Sequence, residues 1–209
     1  MSSDPLDTPP KRRRRGLARR IALLEATLLI LGRDGSAAVT HRAVADEAGV
    51  PIAATTYYFS SKEDLLREAL HLHAEREAQR VALATQALGD TPTVDQLADQ
   101  LADFVDTGLR EGRLGLIAEY ELLLQAARHP ELEPLSRVFY DQIQDQLNQI
   151  LKKLGAPDPE RAARLIMATL AGMEVDNLAT PTTQLPRYEL RRLIGRLLHS
   201  LVEAESPDL

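Results

Sequence analysis

The chain has 209 residues, of which 44% are hydrophobic and 27% are charged, a composition typical of one large or two small globular domains. It contains no cysteine, which excludes disulfide bonds, thiol catalysis and cysteine metal sites and favours a cytoplasmic protein. There is no run of 18 apolar residues, and the charged N-terminus has no apolar segment behind it. The sequence therefore predicts neither a membrane span nor a secretory signal.

The net charge of −6 is distributed unevenly along the chain. Residues 11–62 hold ten Lys and Arg against four Asp and Glu, a net charge of +6, whereas residues 63–209 carry −10. We refer to the basic N-terminal region as the head and to the acidic remainder as the body. This distribution predicts that the head binds a polyanion. The run KRRRR at residues 11–15 is by itself equally typical of a solvated tail, and we expect residues 1–15 to be disordered without DNA. The positive charge continues beyond this tail, which favours nucleic acid as the partner.

Helical periodicity extends over nearly the whole chain, and no alternating strand pattern or internal repeat is present. Caps and breakers such as Thr40, Gly49 and Asp158 separate the helices. The predicted helices cover approximately residues 17–31, 41–48, 51–58, 60–88, 91–110, 113–128, 131–154, 159–180 and 186–204. The fold class is therefore all-α, with about nine helices. The charge and the helix lengths divide it into an N-terminal three-helix unit, residues 16–62, and a larger C-terminal bundle, residues 63–209.

The second and third predicted helices have the length and the tight turn of a helix-turn-helix motif. Small side chains on the third helix let it enter a groove about 12 Å wide, where threonine offers a hydroxyl and a methyl group to DNA. Tyr57 and Tyr58 carry hydroxyl groups that can reach phosphates, and Phe59, which has none, is predicted to be a core anchor. Lys62 lies in the first turn of the next helix, where free backbone N–H groups favour an anion.

The segment VTHRAVADEAGVPIAATTYYFSSKEDLL, residues 39–66, resembles the DNA-binding domain of TetR-type transcriptional regulators. The matching positions are Thr40, Val44–Ala45, Ala48–Gly49–Val50, Tyr57–Tyr58–Phe59, Ser61–Lys62–Glu63 and Leu65. The chain departs from the family pattern at Ala53, where glycine is frequent, and at Thr55 and Thr56, where leucine and tyrosine are frequent. The helix count extends the resemblance over the whole chain.

The resemblance implies a homodimeric transcriptional regulator, usually a repressor, that binds a palindromic operator with one recognition helix in each major groove. It implies DNA contacts from Thr40, His41, Arg42, Ile52, Ala53, Ala54, Thr55, Thr56, Tyr57, Tyr58 and Lys62. The recognition helix has no Arg, Asn or Gln for bidentate base contacts. We therefore expect part of the specificity to come from Arg42, from thymine methyl groups, from DNA shape, or from an Arg12–Arg15 arm in a minor groove.

The C-terminal bundle is expected, by resemblance, to dimerise and to bind a small-molecule effector that releases DNA. Candidate ligand-binding residues are Phe104, Glu119, Tyr120, Leu123, Phe139, Tyr140, Met167, Leu170, Met173, Glu174 and Asn177. Candidate dimer contacts are Leu165, Met167, Leu170, Leu193, Leu197 and Leu198. For each of these residues, ordinary core packing is the alternative. Activation and co-repression remain open as directions of regulation.

Two other functional classes are weighed against this interpretation. An all-α enzyme is disfavoured, because the sequence has no G-x-G-x-x-G, P-loop, G-x-S-x-G or H-E-x-x-H motif. His71 and Glu75 have the spacing of a metal pair but are better explained as a solvated helix surface, so no metal or cofactor is expected. A DNA-binding protein without an effector, which marks chromosomal sites or recruits a partner, is the second alternative.

Overall fold

The computed structural model describes residues 10–129 and 132–203, and it gives side chains for all of these except residues 10–13, 133, 135, 136 and 139. In these ranges the secondary structure consists of nine α-helices and two short 3₁₀ turns, with no β-strand. The helices are α1 (Pro10–Asp34), α2 (His41–Glu47), α3 (Ile52–Tyr58), α4 (Lys62–Ala87), α5 (Val94–Arg110), α6 (Arg113–Arg128), α7 (Glu133–Lys153), α8 (Pro159–Ala179) and α9 (Arg187–Val202). The all-α prediction is confirmed. No helix in the described ranges is long and apolar enough to cross a membrane.

Local sequence signals set the helix boundaries of the head. The Thr40 hydroxyl accepts a hydrogen bond from the Ala43 backbone N–H at 3.1 Å, as an N-cap does. Ser61 caps α4 in the same way, and the backbone N–H of Ser60 donates to the Asp64 carboxylate at 2.8 Å. Helix α4 therefore begins at Lys62, two residues later than the predicted start at residue 60, because Ser61 is the N-cap. The hydrogen bond from Ser60 holds the pKa of Asp64 below its usual range.

The basic N-terminal segment differs from its prediction. Residues 10–15, which we assigned to a disordered tail, form the first turns of α1, while residues 1–9 lie outside the described residues. Proline is tolerated in the first turn of a helix, and the arginines that follow it are good helix formers. The expected Arg12–Arg15 arm is therefore helical rather than extended. The exposed side chains of Arg14 and Arg15 project from this helix.

Two hydrophobic cores organise the molecule. The head core joins residues of α1, α2 and the first turns of α4 to Phe59, and Ala118 and Leu122 of α6 complete it. The body core lies among α5 to α9. Helix α1 approaches α6 so closely that a Cβ atom at Gly32 would lie 2.0 Å from the Leu114 carbonyl oxygen. The head is therefore packed directly onto the body, and its core extends beyond residues 16–62.

Candidate DNA-binding surface and ligand cavity

Helix α3 presents one face to solvent and the other to the head core. Ile52 is 51% exposed and Tyr57 is 80% exposed, and the small side chains of Ala53 and Thr56 lie on the same open surface. Ala54 is half-buried. An exposed helix of small side chains ending in a tyrosine can enter a DNA major groove, with the tyrosine hydroxyl free for a phosphate.

Thr55 is turned away from this surface. Its side chain is fully buried, and its hydroxyl donates to the carbonyl oxygens of Ile52 at 2.6 Å and of His41 at 3.3 Å. The second of these bonds ties α3 to the start of α2. The expectation that Thr55 contacts DNA is therefore wrong. The threonine replaces the apolar side chain that is frequent at this position, and its hydroxyl is satisfied inside the head.

The three consecutive aromatic residues take three different roles. Phe59 is buried in the head core, as expected from its lack of a hydroxyl group. Tyr57 points into solvent, and its ring meets that of Tyr58 edge-on with 4.9 Å between the centroids. Tyr58 is half-buried, and its hydroxyl faces α1, where a Cβ atom at Gly16 would lie 3.4 Å away. Tyr57 is thus the more accessible of the two predicted phosphate contacts.

Basic side chains lie on the two helices that precede and follow α3 in the chain. Arg42 on α2 is exposed, and Lys62 is half-buried in the first turn of α4. Arg20 and Arg33 are occupied elsewhere, in ion pairs with Glu68 and with Glu47 respectively. The ring of His41 is half-buried, and its Nδ1 atom is buried with no partner among the described residues. A phosphate contact from His41 would therefore use the other ring nitrogen.

A cavity opens between α4, α5, α6, α7 and α8, with α1 at one edge, and we refer to it as the α4–α8 cavity. It has two adjoining parts of about 410 Å³ and 370 Å³, which share Glu77, Phe104, Glu119 and Glu174 in their walls. The larger part is lined by Tyr120, Tyr140, Ile143, Gln144, Arg164, Met167, Ala168, Leu170 and Ala171. The volume and the mostly apolar walls with a few polar groups are typical of a small-molecule site.

Glu174 is the most deeply buried charged residue of the α4–α8 cavity, with 6% of its surface exposed. Its Oε2 atom accepts a hydrogen bond from the Tyr120 hydroxyl at 2.8 Å, and its Oε1 atom has no partner among the described residues. Burial raises the pKa of Glu174 to about 7, against a smaller lowering by the Tyr120 hydrogen bond. Burial also raises the pKa of Tyr120, and the nearby Glu174 carboxylate raises it further.

Two family models match the chain. The family model described as bacterial regulatory proteins, tetR family, matches residues 23–69, and that described as tetracyclin repressor-like, C-terminal domain, matches residues 92–200. Together they span the head and the body. The chain belongs to the TetR family. Members of this family are DNA-binding transcriptional regulators and not enzymes, so the functional class predicted from the sequence is confirmed.

Individual TetR-family relatives cover most of the chain. The nicotine-responsive transcriptional repressor HdnoR of Paenarthrobacter nicotinovorans is 24% identical over 176 residues, which cover 82% of this chain and 88% of the repressor. The multidrug binding protein EbrR, solved in complex with ethidium, is 32% identical with a TM-score of 0.66, covering 86% of this chain and 98% of EbrR. A transcriptional regulator of Rhodococcus sp. Rha1, 21% identical, shares the fold with a TM-score of 0.76, over 88% of this chain and 96% of its own.

The structure brings together most of the side chains predicted to bind a ligand. Those in the walls of the α4–α8 cavity are Phe104, Glu119, Tyr120, Tyr140, Met167, Leu170 and Glu174. Leu123 and Met173 lie outside these walls. Asn177 has a structural role, because its amide donates to the Met173 carbonyl at 2.7 Å and accepts from the Leu185 backbone N–H at 2.6 Å. The side chain of Phe139 lies outside the described part of the molecule.

The predicted dimer contacts divide into three groups. Leu198 is buried in the body core of its own chain, so its assignment to a dimer surface is wrong. Met167 and Leu170 face the α4–α8 cavity. Leu165 is exposed on α8, whereas Leu193 and Leu197 are half-buried on α9. The sequence alone could not separate these groups, because apolar helical faces serve both cores and interfaces.

Sequence reasoning missed the contribution of α4 to the cavity. His73, Glu77 and Arg80 lie one helical turn apart on one face, and they line the cavity together with Arg76. The available signal for this contribution was the spacing of these charged residues on a helix that also carries a buried apolar stripe. His71 pairs with Glu75 at 3.4 Å on the surface, and the described residues include no group of three or more potential metal ligands.

Proposed function

We propose that this TetR-family regulator is a cytoplasmic homodimeric repressor that binds a palindromic operator and leaves it when a small molecule occupies the α4–α8 cavity. The observation that carries the DNA-binding part is the two-sided character of α3. Thr55 and Phe59 fix this helix to the head core, while Ile52, Ala53 and Tyr57 face outward. A rigid helix with an open small-sided face suits a major groove.

Selection from random-sequence DNA duplexes with the full-length protein tests the operator. We expect a two-fold symmetric sequence with half-sites separated by about one helical turn or slightly more. Affinity for this duplex is expected to fall steeply with salt, because phosphate contacts release counterions. Failure to enrich any sequence, together with weak binding at low salt, would contradict operator recognition.

The proposed dimer interface uses the outer face of α8. Leu165, Ala168, Gly172 and Val175 are exposed and follow one another at steps of three or four residues, so they form a continuous apolar stripe. Exposed apolar surface of this kind favours association with another protein surface. Two copies packed through α8, with the exposed part of α9 beside it, would place two heads on one DNA duplex.

A pair of matched valine substitutions tests this interface. Val175 is 48% exposed on the α8 stripe, and Val138 is 57% exposed on α7. We expect Val175→Glu to yield monomers in sedimentation equilibrium, because it places a charge in the apolar interface. Val138→Glu is the control and should leave a dimer. If both variants remain dimers, the interface does not include this part of α8.

The cavity supports effector control rather than DNA binding alone. Two relatives, the nicotine-responsive repressor HdnoR and the ethidium-bound EbrR, are named for small molecules. Helix α4 begins at Lys62 in the head, and its later residues Glu77 and Arg80 line the cavity. Helix α6 lines the cavity through Leu116 and meets α1 where Leu114 approaches Gly32. A ligand that displaces either helix would move the head and shift the population away from the DNA-binding spacing.

A further inference from the structure

A charge imbalance inside the α4–α8 cavity points to the class of its ligand. This inference rests on the proposed function of the cavity as an effector site. Only 6% of the surface of Glu174 is exposed, the residue lines both parts of the cavity, and its Oε1 atom has no hydrogen-bond partner among the described residues. Burying a carboxylate oxygen without a hydrogen-bond partner destabilises the folded protein. A ligand that supplies the missing partner would remove this destabilisation.

The other charged or titratable side chains of the cavity walls have charged or titratable partners within the protein. These pairs are Arg76 with Glu25 at 2.5 Å, Arg80 with Glu77 at 2.8 Å, His73 with Glu119 at 3.1 Å and Arg164 with Glu160 at 3.3 Å. Glu174 has a neutral partner, the Tyr120 hydroxyl. Among the described wall residues, Glu174 is therefore the carboxylate whose hydrogen-bond partner, a tyrosine hydroxyl, cannot carry a positive charge.

The surroundings of Glu174 suit the remainder of an organic cation. Phe104 borders both parts of the cavity, and the Arg80 guanidinium, which is paired with Glu77, covers one face of its ring at 4.2 Å from the centroid. The rings of Tyr120 and Tyr140 and the apolar chains of Met167 and Leu170 complete the larger part. Methionine adapts to ligands of different shape.

We propose that the α4–α8 cavity binds an organic cation whose positive charge lies beside the carboxylate of Glu174 and whose apolar part packs on Phe104, Met167 and Leu170. Such a ligand supplies the ionic partner that the chain does not. A neutral ligand would leave the carboxylate without an ionic partner, and an anion would meet Glu174, Glu77 and Glu119 together.

The protonation of Glu174 gives the proposal a second signature. Its pKa is raised to about 7 by burial, and a cation favours the ionised carboxylate, so affinity for a permanently charged ligand should increase as the pH rises through about 7. The charged and titratable groups that face it are His73, Glu77 and Arg80 from α4, Glu119 and Tyr120 from α6, and Tyr140 from α7. Glu174→Gln removes the proposed titrating group and should flatten this dependence.

The experiment measures direct binding by calorimetry to the full-length protein at about pH 8, where the ionised carboxylate dominates. DNA is absent, because planar cations also intercalate between base pairs. The probes are three permanent cations of different shape, namely ethidium, tetraphenylphosphonium and tetrabutylammonium. The uncharged phenanthridine that results from removing the N-ethyl group of ethidium is the neutral comparison. Glu174→Gln is the test variant, and Glu203→Gln, which neutralises an exposed carboxylate after α9, is the matched control.

We expect at least one cation to bind the unmodified protein at least about tenfold more tightly than the neutral comparison. Glu174→Gln should lower the affinity for that cation by about thirtyfold or more, which is the effect of removing one member of a buried charge pair. Glu203→Gln should change nothing. Equal binding of ethidium and its neutral comparison, an unchanged affinity in Glu174→Gln, or no binding by any of the three cations would overturn the proposal. The comparison of charged and neutral probes needs no variant, so it holds even if Glu174→Gln folds poorly.

Operator release separates this proposal from the proposed function. The bound cation is added to the protein on its selected operator, using a probe that does not intercalate, such as tetraphenylphosphonium. If the cation binds in a Glu174-dependent way but the protein stays on DNA, the cation site is supported and effector release is contradicted. Release by a neutral compound that competes for the cavity would sustain effector control and contradict the cation preference.

Discussion

The buried threonines of the head and the buried carboxylate of the body differ in whether their polar atoms have hydrogen-bond partners. In the head, the hydroxyl groups of Thr27 and Thr55 are fully buried and each donates to backbone carbonyl oxygens within the same unit. In the body, Glu174 is nearly as buried, yet one of its carboxylate oxygens has no partner among the described residues. A satisfied polar group stabilises a single arrangement, whereas an unsatisfied one favours a state in which something else binds.

The two regions also differ in how they are assembled. The reading surface comes from α2, α3 and the first turn of α4, which are consecutive in the chain. The α4–α8 cavity takes side chains from α1 and from α4 to α8, which are far apart in the chain, as for Glu25 and Glu174. Local assembly suits a rigid surface that must match DNA, and assembly from several helices suits a cavity whose shape can change with its occupant.

The largest effect is expected at the contact that joins the two regions. Gly32→Ala places a methyl group where the Leu114 carbonyl oxygen already lies, at 2.0 Å, so α1 and α6 must separate. We expect a loss of about 3 kcal/mol or more in the free energy of unfolding, measured by urea denaturation.

Gly115→Ala is the control for this prediction. It adds the same methyl group to α6, where nothing lies within 4 Å of the new atom. Alanine is favoured over glycine inside a helix, so this variant should be unchanged or more stable by about 0.5–1 kcal/mol. Equal losses in the two variants would show that the close approach of α1 and α6 is not what restricts residue 32.

The second prediction concerns pH and the unsatisfied carboxylate. Burial raises the pKa of Glu174 in the folded state to about 7, above the value of about 4.3 expected for an unfolded chain. Between these values the folded protein holds a proton that the unfolded chain releases, so stability falls as the pH rises through this window. Relative to Glu174→Gln, the unliganded protein should lose on the order of 3 kcal/mol across it. Thermal melts of both proteins from about pH 4 to pH 8 measure the difference, and a constant difference would contradict the burial of an ionisable group.

Removing the hydroxyl of Tyr120 should have a smaller effect. Tyr120→Phe deletes the hydrogen bonds to Glu174 Oε2 at 2.8 Å and to the Ala171 carbonyl at 3.2 Å, and it leaves the Glu174 carboxylate without the hydroxyl that it accepts from. We expect a loss of about 1–2 kcal/mol in the free energy of unfolding near neutral pH. Tyr188→Phe, at an exposed position on α9, is the control and should be neutral. A double variant with Glu174→Gln should show a non-additive effect if the two side chains interact as described.

The smallest effect is expected at the reading surface. Lys62→Ala should weaken binding to all duplexes by roughly 1 kcal/mol and reduce the slope of log affinity against log salt by about 1, because we propose that Lys62 contacts phosphate rather than bases. Lys152→Ala removes an exposed lysine near the end of α7 and should leave both quantities unchanged. A loss limited to one operator sequence would assign Lys62 to base recognition instead.

Much of this architecture was predictable, because it depends on short-range chemistry. The cap at Thr40, the proline that opens α8 after Asp158 and the buried Phe59 follow from local rules of helix capping and polarity. The start of α1 was misjudged, because a run of arginines is compatible both with a helix and with a solvated tail. Thr55 was misassigned, because its orientation depends on the rotation of α3 against α2.

The sequence by itself determined the helices, the basic head, the helix-turn-helix motif and the polar residues available to a ligand site. Each of these depends on residues close together in the chain or on the periodicity of a single helix. Only the tertiary structure decided which of these residues meet. It buried Leu198 inside its own chain, gave Asn177 a structural role, and brought His73 and Glu77 of α4 to the same cavity as Glu174 of α8. The physical reason is that an apolar or charged helical face does not encode its partner, which is set by how the helices pack together.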